Sequence, residues 1–115
     1  MDRRMRTYKE MTISCSHQLD LPYESACNRL HGHNYRIEVW VDGEVDENGM
    51  VADFTHVKEV VGRYDHRHLN DFFTPATAEN FVNRLLADLK ARLPTARHFK
   101  VRVWETPTCY AEGEA

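Results

Sequence analysis

His31-Gly32-His33-Asn34-Tyr35-Arg36-Ile37-Glu38-Val39-Trp40-Val41-Asp42 is the stretch that decides the fold. Successive side chains of an extended chain project to opposite faces. Here His31, His33, Tyr35, Ile37, Val39 and Val41 share one face, while Asn34, Arg36, Glu38 and Asp42 share the other with Trp40. The alternation predicts a strand over 31–42 whose apolar face ends in two imidazoles. Two ligands from one strand can serve one metal ion, and Gly32 between them leaves room for a ligand or another backbone. Cys27, in Cys27-Asn28-Arg29-Leu30-His31, brings a thiol close to whatever the histidines hold.

Residues 7–17 alternate in the same way. Met11, Ile13, Cys15 and His17 lie on one face, with Glu10, Thr12, Ser14 and Ser16 on the other, so a second strand also ends its apolar face in histidine. A loop from Gln18 to Leu30 contains Pro22. Asp42-Gly43 and Glu47-Asn48-Gly49 mark turns, with a short strand expected at Met50 to Ala52. Thr55 reads as the cap of a helix with the stripe Val57, Val60, Val61, Tyr64. Asp65 to Asp71 reads as a polar connection. Thr77 caps a second helix with Glu79 in its first turn and the stripe Val82, Leu85, Leu86, Leu89, Leu93, stopped by Pro94. Residues 98–106 form a strand with Phe99, Val101, Val103 and then Glu105 facing inward, and Thr108 to Ala111 a last short one. This order predicts an α+β fold in a single domain, 1–115: a four-stranded antiparallel sheet with two helices on one face. The other face carries Trp40 and Trp104 among polar groups, which suggests burial by oligomerisation.

The bulk composition narrows the function. A net charge of -3 argues against a general nucleic-acid binder. No apolar run reaches the roughly 18 residues of a membrane span. The basic start, Met1-Asp2-Arg3-Arg4-Met5-Arg6, has no apolar segment behind it, so no secretory signal is expected. Three cysteines without framework spacing suit a reducing, cytoplasmic setting.

His17, His31 and His33, in phase on core-side faces, fit a metal centre with three imidazoles and one open position. The pair His31 and His33 alone would more often be a surface pair; the third histidine and Cys27 reverse that preference. A rival set, His31, His33 and Glu38, has the spacing of a cupin's first motif. Glu38 has the wrong strand parity, however, and two helices suit an all-β jelly roll poorly. Cys27 can be a fourth ligand, a small buried hydrophobe or a reactive thiol. Cys15 belongs to a packed row, and Cys109 has no sequence partner. Asp65-His66 is a carboxylate-oriented imidazole able to shuttle protons, or only a cap. Asp53 reads as a turn or capping residue. Arg67 and His68 are solvated or meet an anionic substrate. Glu105 ends a core row, where an unpaired carboxylate is costly. It either pairs with an arginine or accepts the paired N–H donors of a flat heterocycle such as pterin or guanine.

Taken together, His17, Cys27-x3-His31-Gly32-His33, Asp53-Phe54, Asp65-His66-x2-Leu69-Asn70, Thr77-Ala78-Glu79-Asn80 and Glu105-Thr106-Pro107-Thr108 resemble the 6-pyruvoyl-tetrahydropterin synthase / 6-carboxytetrahydropterin synthase family. The similarity runs from about His17 to Ala111, and the short Cys-x3-His-Gly-His gap is most like the bacterial carboxy enzymes of queuosine (7-deazaguanine) biosynthesis. The resemblance implies a tunnelling (T-) fold, in which sheets of several protomers join into a barrel. It implies a homo-oligomer, commonly a hexamer, with sites between subunits. It implies Zn2+ on His17, His31 and His33, Cys27 as proton-abstracting base, the Asp65-His66 pair as its assistant and Glu105 as pterin anchor, with Thr77 and Ala78 beside the substrate. The implied activity is a lyase converting 7,8-dihydroneopterin triphosphate to 6-carboxy-5,6,7,8-tetrahydropterin, acetaldehyde and triphosphate. Elimination of triphosphate without side-chain cleavage is the alternative within the family, and a non-catalytic metal- or pterin-binding module the alternative outside it. Against the family pattern, Ala76 stands between Pro75 and Thr77, Cys15 replaces an alanine, Tyr64 replaces a leucine, and the first helix is shorter by about one turn.

Overall fold

In the computed structural model, which describes residues 4–115, two long strands form the spine. Met1 to Arg3, from the basic start, lie outside the described residues. β1 (Arg4–His17) and β2 (His31–Glu44) pair antiparallel in unbroken register, from Arg4 opposite Glu44 to His17 opposite His31. Both strands extend further than their alternation predicts at the end away from the histidines. There Arg6 lies opposite Asp42, and Arg6 Nε donates to Asp42 Oδ1 at 2.7 Å. β4 (His98–Thr106) pairs antiparallel with β2, and β5 (Cys109–Glu114) with β4. β5 runs on to Glu114, past the expected end at Ala111, after a register irregularity between Trp104 and Thr106.

The sheet has five strands in the order β3-β1-β2-β4-β5, which corrects the expected four. β3 (Arg67–His68) lies within the expected polar connection and runs parallel to β1, opposite Cys15 and Ser16. Two residues are too few to show a period; hydrogen bonds place them instead. Ser14 N–H donates to Asp65 Oδ1 at 2.9 Å, and His66 N–H donates to the Ser14 carbonyl at 2.7 Å. The expected strand at Met50 to Ala52 is absent. Asp46 Oδ1 accepts the amides of Asn48 (2.8 Å) and Met50 (3.1 Å), closing a turn through Gly49 at φ 81.

α1 (Phe54–Gly62) is capped by Asp53, two residues before the expected Thr55. Asp53 Oδ1 accepts from both the Thr55 amide (2.8 Å) and its hydroxyl (2.6 Å), so Thr55 serves the cap as a donor. α2 (Ala78–Arg92) starts where expected, with Thr77 Oγ1 accepting from Asn80 N–H at 3.1 Å. The buried faces of both helices join one core with Ile13, Tyr35, Ile37, Val39, Val101 and Val103 of the sheet. Each fully buried aliphatic side chain there contributes about 1.5–3 kcal/mol. Phe81, outside the expected stripe, is also buried, edge-on to Tyr35 and Tyr64 at 5.7 and 5.4 Å between centroids.

Tyr64 ties the end of α1 to α2. Its ring is fully buried, and its hydroxyl meets the Asp88 carboxylate and accepts from Arg84 Nε at 3.0 Å. Tyr64→Phe should therefore lower unfolding stability by about 1–2 kcal/mol, read as a lower urea midpoint at unchanged slope.

The helix-free face carries an ordered polar–aromatic layer. Glu38 is buried there, accepting from Tyr8 OH and Trp104 Nε1, each at 2.6 Å. Its place on that face confirms its parity and removes it from the histidines, so the cupin-like ligand set does not form.

Candidate metal centre and its surroundings

The register His17 opposite His31, with His33 two residues on, gathers three imidazoles at one end of the core face. Each of two rings is oriented by a main-chain carbonyl. His17 Nδ1 lies 2.7 Å from the Ala76 oxygen, and His31 Nδ1 lies 2.6 Å from the Arg29 oxygen. A carbonyl only accepts, so both rings carry their proton on Nδ1 and present the Nε2 lone pair. Those two Nε2 atoms face each other at 2.9 Å. Two opposed lone pairs repel, and a cation between them removes the conflict. His33 Nε2 is also buried without a hydrogen-bond partner, and it lies 3.3 Å from Glu105 Oε1.

Burial pushes the His33 imidazole below its usual range, while Glu105 opposes the shift. A metal requires the neutral imidazole, and burial favours that form of His33. One donor atom from each of His17, His31, His33 and Glu105 lies within 4.8 Å of the others. Tetrahedral bonds of about 2.1 Å hold donors about 3.4 Å apart, so a small parting of the 2.9 Å pair and modest inward shifts of the more distant donors fit the cluster to an ion. The residues present thus fit a metal. The partner of Glu105 is His33 and not the arginine that a simple ion pair would supply.

Tyr35 is a participant that strand parity alone reads as core. It is fully buried, with ring centroids 5.5 Å from His33 and 6.0 Å from His17, and its hydroxyl has no hydrogen-bond partner among the described residues. Burial holds the phenol well above its ordinary range, so it stays a donor beneath the cluster. Cys15 packs as expected: it is buried, its thiol is pushed up to about 12 by burial, and Sγ lies 3.1 Å from the Tyr64 carbonyl.

Cys27 sits in a 3-10 turn (Ala26–Asn28) of the loop before β2, half-buried. Ser25 Oγ accepts its amide at 3.1 Å, and its carbonyl accepts Leu19 N–H at 2.9 Å. Asp65 and His66 form the expected pair, 3.0 Å apart. The Ser14 amide holds the Asp65 carboxyl below the usual range, assisted by His66 and opposed by desolvation. His66 is exposed and faces a cleft on the helix-free side, and among the described residues no hydrogen bond or ion pair joins this pair to Cys27. Ala78 and Glu105 line one cleft of about 410 Å3 with Glu79 and Cys109. Thr77 uses its hydroxyl for the α2 cap.

The sheet backed by helices on one face is the fold of tetrahydropterin synthases, an enzyme family of the lyase type. The family model described as 6-pyruvoyl tetrahydropterin synthase matches residues 6–115, and the chain belongs to that family. A relative from Pyrococcus horikoshii is 47% identical over 143 aligned positions, covering 95% of this chain and 89% of its own. The 6-carboxy-5,6,7,8-tetrahydropterin synthase of Bacillus subtilis is 34% identical over 116 positions, covering 89% of this chain and 80% of its own. The solved structure of Caenorhabditis elegans 6-pyruvoyl tetrahydropterin synthase superposes with a TM-score of 0.79 at 28% identity, covering 99% of this chain and 97% of that one.

Proposed function

We propose that this protein is a zinc-dependent carbon–carbon lyase that converts 7,8-dihydroneopterin triphosphate to 6-carboxy-5,6,7,8-tetrahydropterin, acetaldehyde and triphosphate. The observation that carries the metal is the pair of opposed Nε2 atoms on His17 and His31, beside the orphaned Nε2 of His33. Three imidazoles and an open or carboxylate-filled fourth position suit Zn2+. The carboxy product is favoured by the short gap from Cys27 to His31 and by the Bacillus subtilis relative.

His17, His31 and His33 hold the ion, which supplies a Lewis acid for the substrate's side-chain hydroxyls. Cys27 takes the carbon-bound proton beside those hydroxyls, and the pterin ring delocalises the charge left behind. Glu105 accepts paired N–H donors from the ring edge and fixes its orientation in the cleft it shares with Ala78, with Thr77 at the adjoining helix start. His66, oriented by Asp65, returns and relays protons during triphosphate release and carbon–carbon cleavage. Since among the described residues no hydrogen bond or ion pair joins His66 to Cys27, the relay in this proposal reaches the thiol from a neighbouring protomer. That placement favours a homo-oligomer, a hexamer in this reading, whose sheets join into a barrel and cover the helix-free face. The whole span, 1–115, acts as one domain. Among the described residues no helix is long and apolar enough to cross a membrane. The reading places the enzyme in the cytoplasm, in queuosine or related 7-deazapurine synthesis.

Incubating metal-loaded protein with 7,8-dihydroneopterin triphosphate should yield 6-carboxytetrahydropterin and acetaldehyde by mass spectrometry. Recovery of substrate alone overturns the lyase assignment. A 6-pyruvoyl product keeps the pterin chemistry and replaces the carboxy assignment with triphosphate elimination.

A further inference from the structure

We infer that the cleft between β3 and the histidine end of β1 and β2 is a binding subsite for a polyphosphate chain. The inference rests on the reading of a triphosphate-bearing substrate. The cleft, about 600 Å3, opens on the helix-free face. Ser14, Ser16 and Asn34 line it from the sheet, and His66, Arg67 and His68 line it from the adjoining strand and turn. Gly32 and His33 border it, so it begins at the metal ligands. Gly32 also lets β2 approach β1 closely at that border: a Cβ there would lie 3.1 Å from the Cys15 carbonyl oxygen.

The donors in this cleft are left over. Arg67 makes no ion pair among the described residues, whereas Arg6, Arg36, Arg84 and Arg102 each sit against a carboxylate. A free guanidinium is the side chain best shaped to bind a phosphate through two parallel N–H bonds. Ser16 Oγ lies 2.9 Å from His68 Nδ1. When that hydroxyl donates, the His68 proton resides on Nε2, where it serves as a donor to a ligand. Ser14 Oγ donates to Asn34 Oδ1 at 2.7 Å, which orients the amide and leaves its NH2 group unused. Two acids adjoin the lining residues and both are engaged: Asp65 accepts from the Ser14 amide at 2.9 Å and pairs with His66 at 3.0 Å, and Glu105 lies 3.3 Å from His33 Nε2. His66 holds a left-handed backbone, φ 60, against the Ser14 carbonyl, and this turn sets the direction of Arg67 and His68. Hydroxyl, amide and guanidinium donors around a cleft with no carboxylate in its lining form an oxyanion site, and its volume of about 600 Å3 has room for more than one phosphate.

The test uses metal-loaded protein, wild type against Arg67→Ala, His68→Ala and the double variant. Arg67 and His68 are partly or fully exposed and both substitutions spare the backbone of β3. Inorganic triphosphate binding is measured by calorimetry, with metal content checked afterwards. Each single variant should weaken it about tenfold, the double variant about 100-fold, and Arg67→Lys should recover part of the loss. KM for 7,8-dihydroneopterin triphosphate should rise in parallel, while binding of unphosphorylated 7,8-dihydroneopterin stays within twofold. Triphosphate affinity within twofold of wild type in the double variant overturns the subsite. Equal losses for the unphosphorylated pterin also overturn it, because they mark a structural role. Orthophosphate binding as tight as triphosphate, with KM unchanged, makes the cleft a free-phosphate site and overturns the assignment to substrate. The binding measurement does not depend on turnover. Arg67- and His68-dependent triphosphate binding without any lyase product would therefore overturn the lyase reading and leave the subsite standing.

Discussion

His33→Ala should reduce metal affinity by at least about 100-fold and leave the purified protein substoichiometric in zinc. Even residues that only orient a ligand cost about 10–100-fold when removed, and His33 supplies a donor atom itself. Its Nε2 is buried and has no hydrogen-bond partner among the described residues. Removing the ring takes away one of three imidazoles and the 3.3 Å partner of Glu105. The fold should survive: His33 is partly exposed at the sheet's end, and the row behind it, Tyr35 to Val41, stays intact. Metal content by mass spectrometry, with a competing chelator for affinity, checks this. A variant that keeps one zinc per chain at wild-type affinity would remove His33 from the ligand set. The stability difference between loaded and stripped forms, large in wild type, should shrink in the variant, because a ligand stabilises only in proportion to how tightly it binds.

The sequence was most legible where burial imposed a period. Alternation along 31–42 and 7–17 located both long strands, put His17, His31 and His33 on one face and excluded Glu38, and the register bears this out. The helical stripes were equally plain, because burial at every third and fourth position leaves a pattern that single residues do not disturb. What sequence reading missed was fixed by hydrogen bonds rather than by burial. β3 exists because Asp65 and His66 clasp Ser14, a contact between residues 51 apart for the Ser14–Asp65 bond. The Asp46 turn replaced a strand because one carboxylate gathers the amides a strand would have paired. The orientation of His17 depends on the Ala76 carbonyl, a main-chain contact between residues 59 apart that no periodicity marks. Glu105 illustrates the boundary: parity placed it at the end of a core row, but only the folded sheet shows that its neighbour is a histidine.

Cys27→Ala should lower kcat by about 10²–10⁴-fold, the usual worth of a positioned acid–base group, while zinc content and pterin binding stay at wild-type levels. The thiol lies outside the cluster that His17, His31, His33 and Glu105 form, so the metal should not notice its loss. Nor should the loop. The turn that carries Cys27 is held through main-chain atoms, its amide by Ser25 Oγ at 3.1 Å and its carbonyl by Leu19 N–H at 2.9 Å. Alanine preserves both bonds. A fall in kcat at unchanged pterin affinity marks a group that acts in the reaction rather than in binding. Loss of zinc from the variant would instead make Cys27 a ligand, drawn in when the ion binds. Unchanged turnover would remove it from the reaction and leave the Asp65-His66 pair as the remaining base. Cys27→Ser separates the last two possibilities further. A hydroxyl fits the same space but is a far weaker acid than a thiol, so the serine variant should be nearly as slow as alanine if the thiolate abstracts the proton.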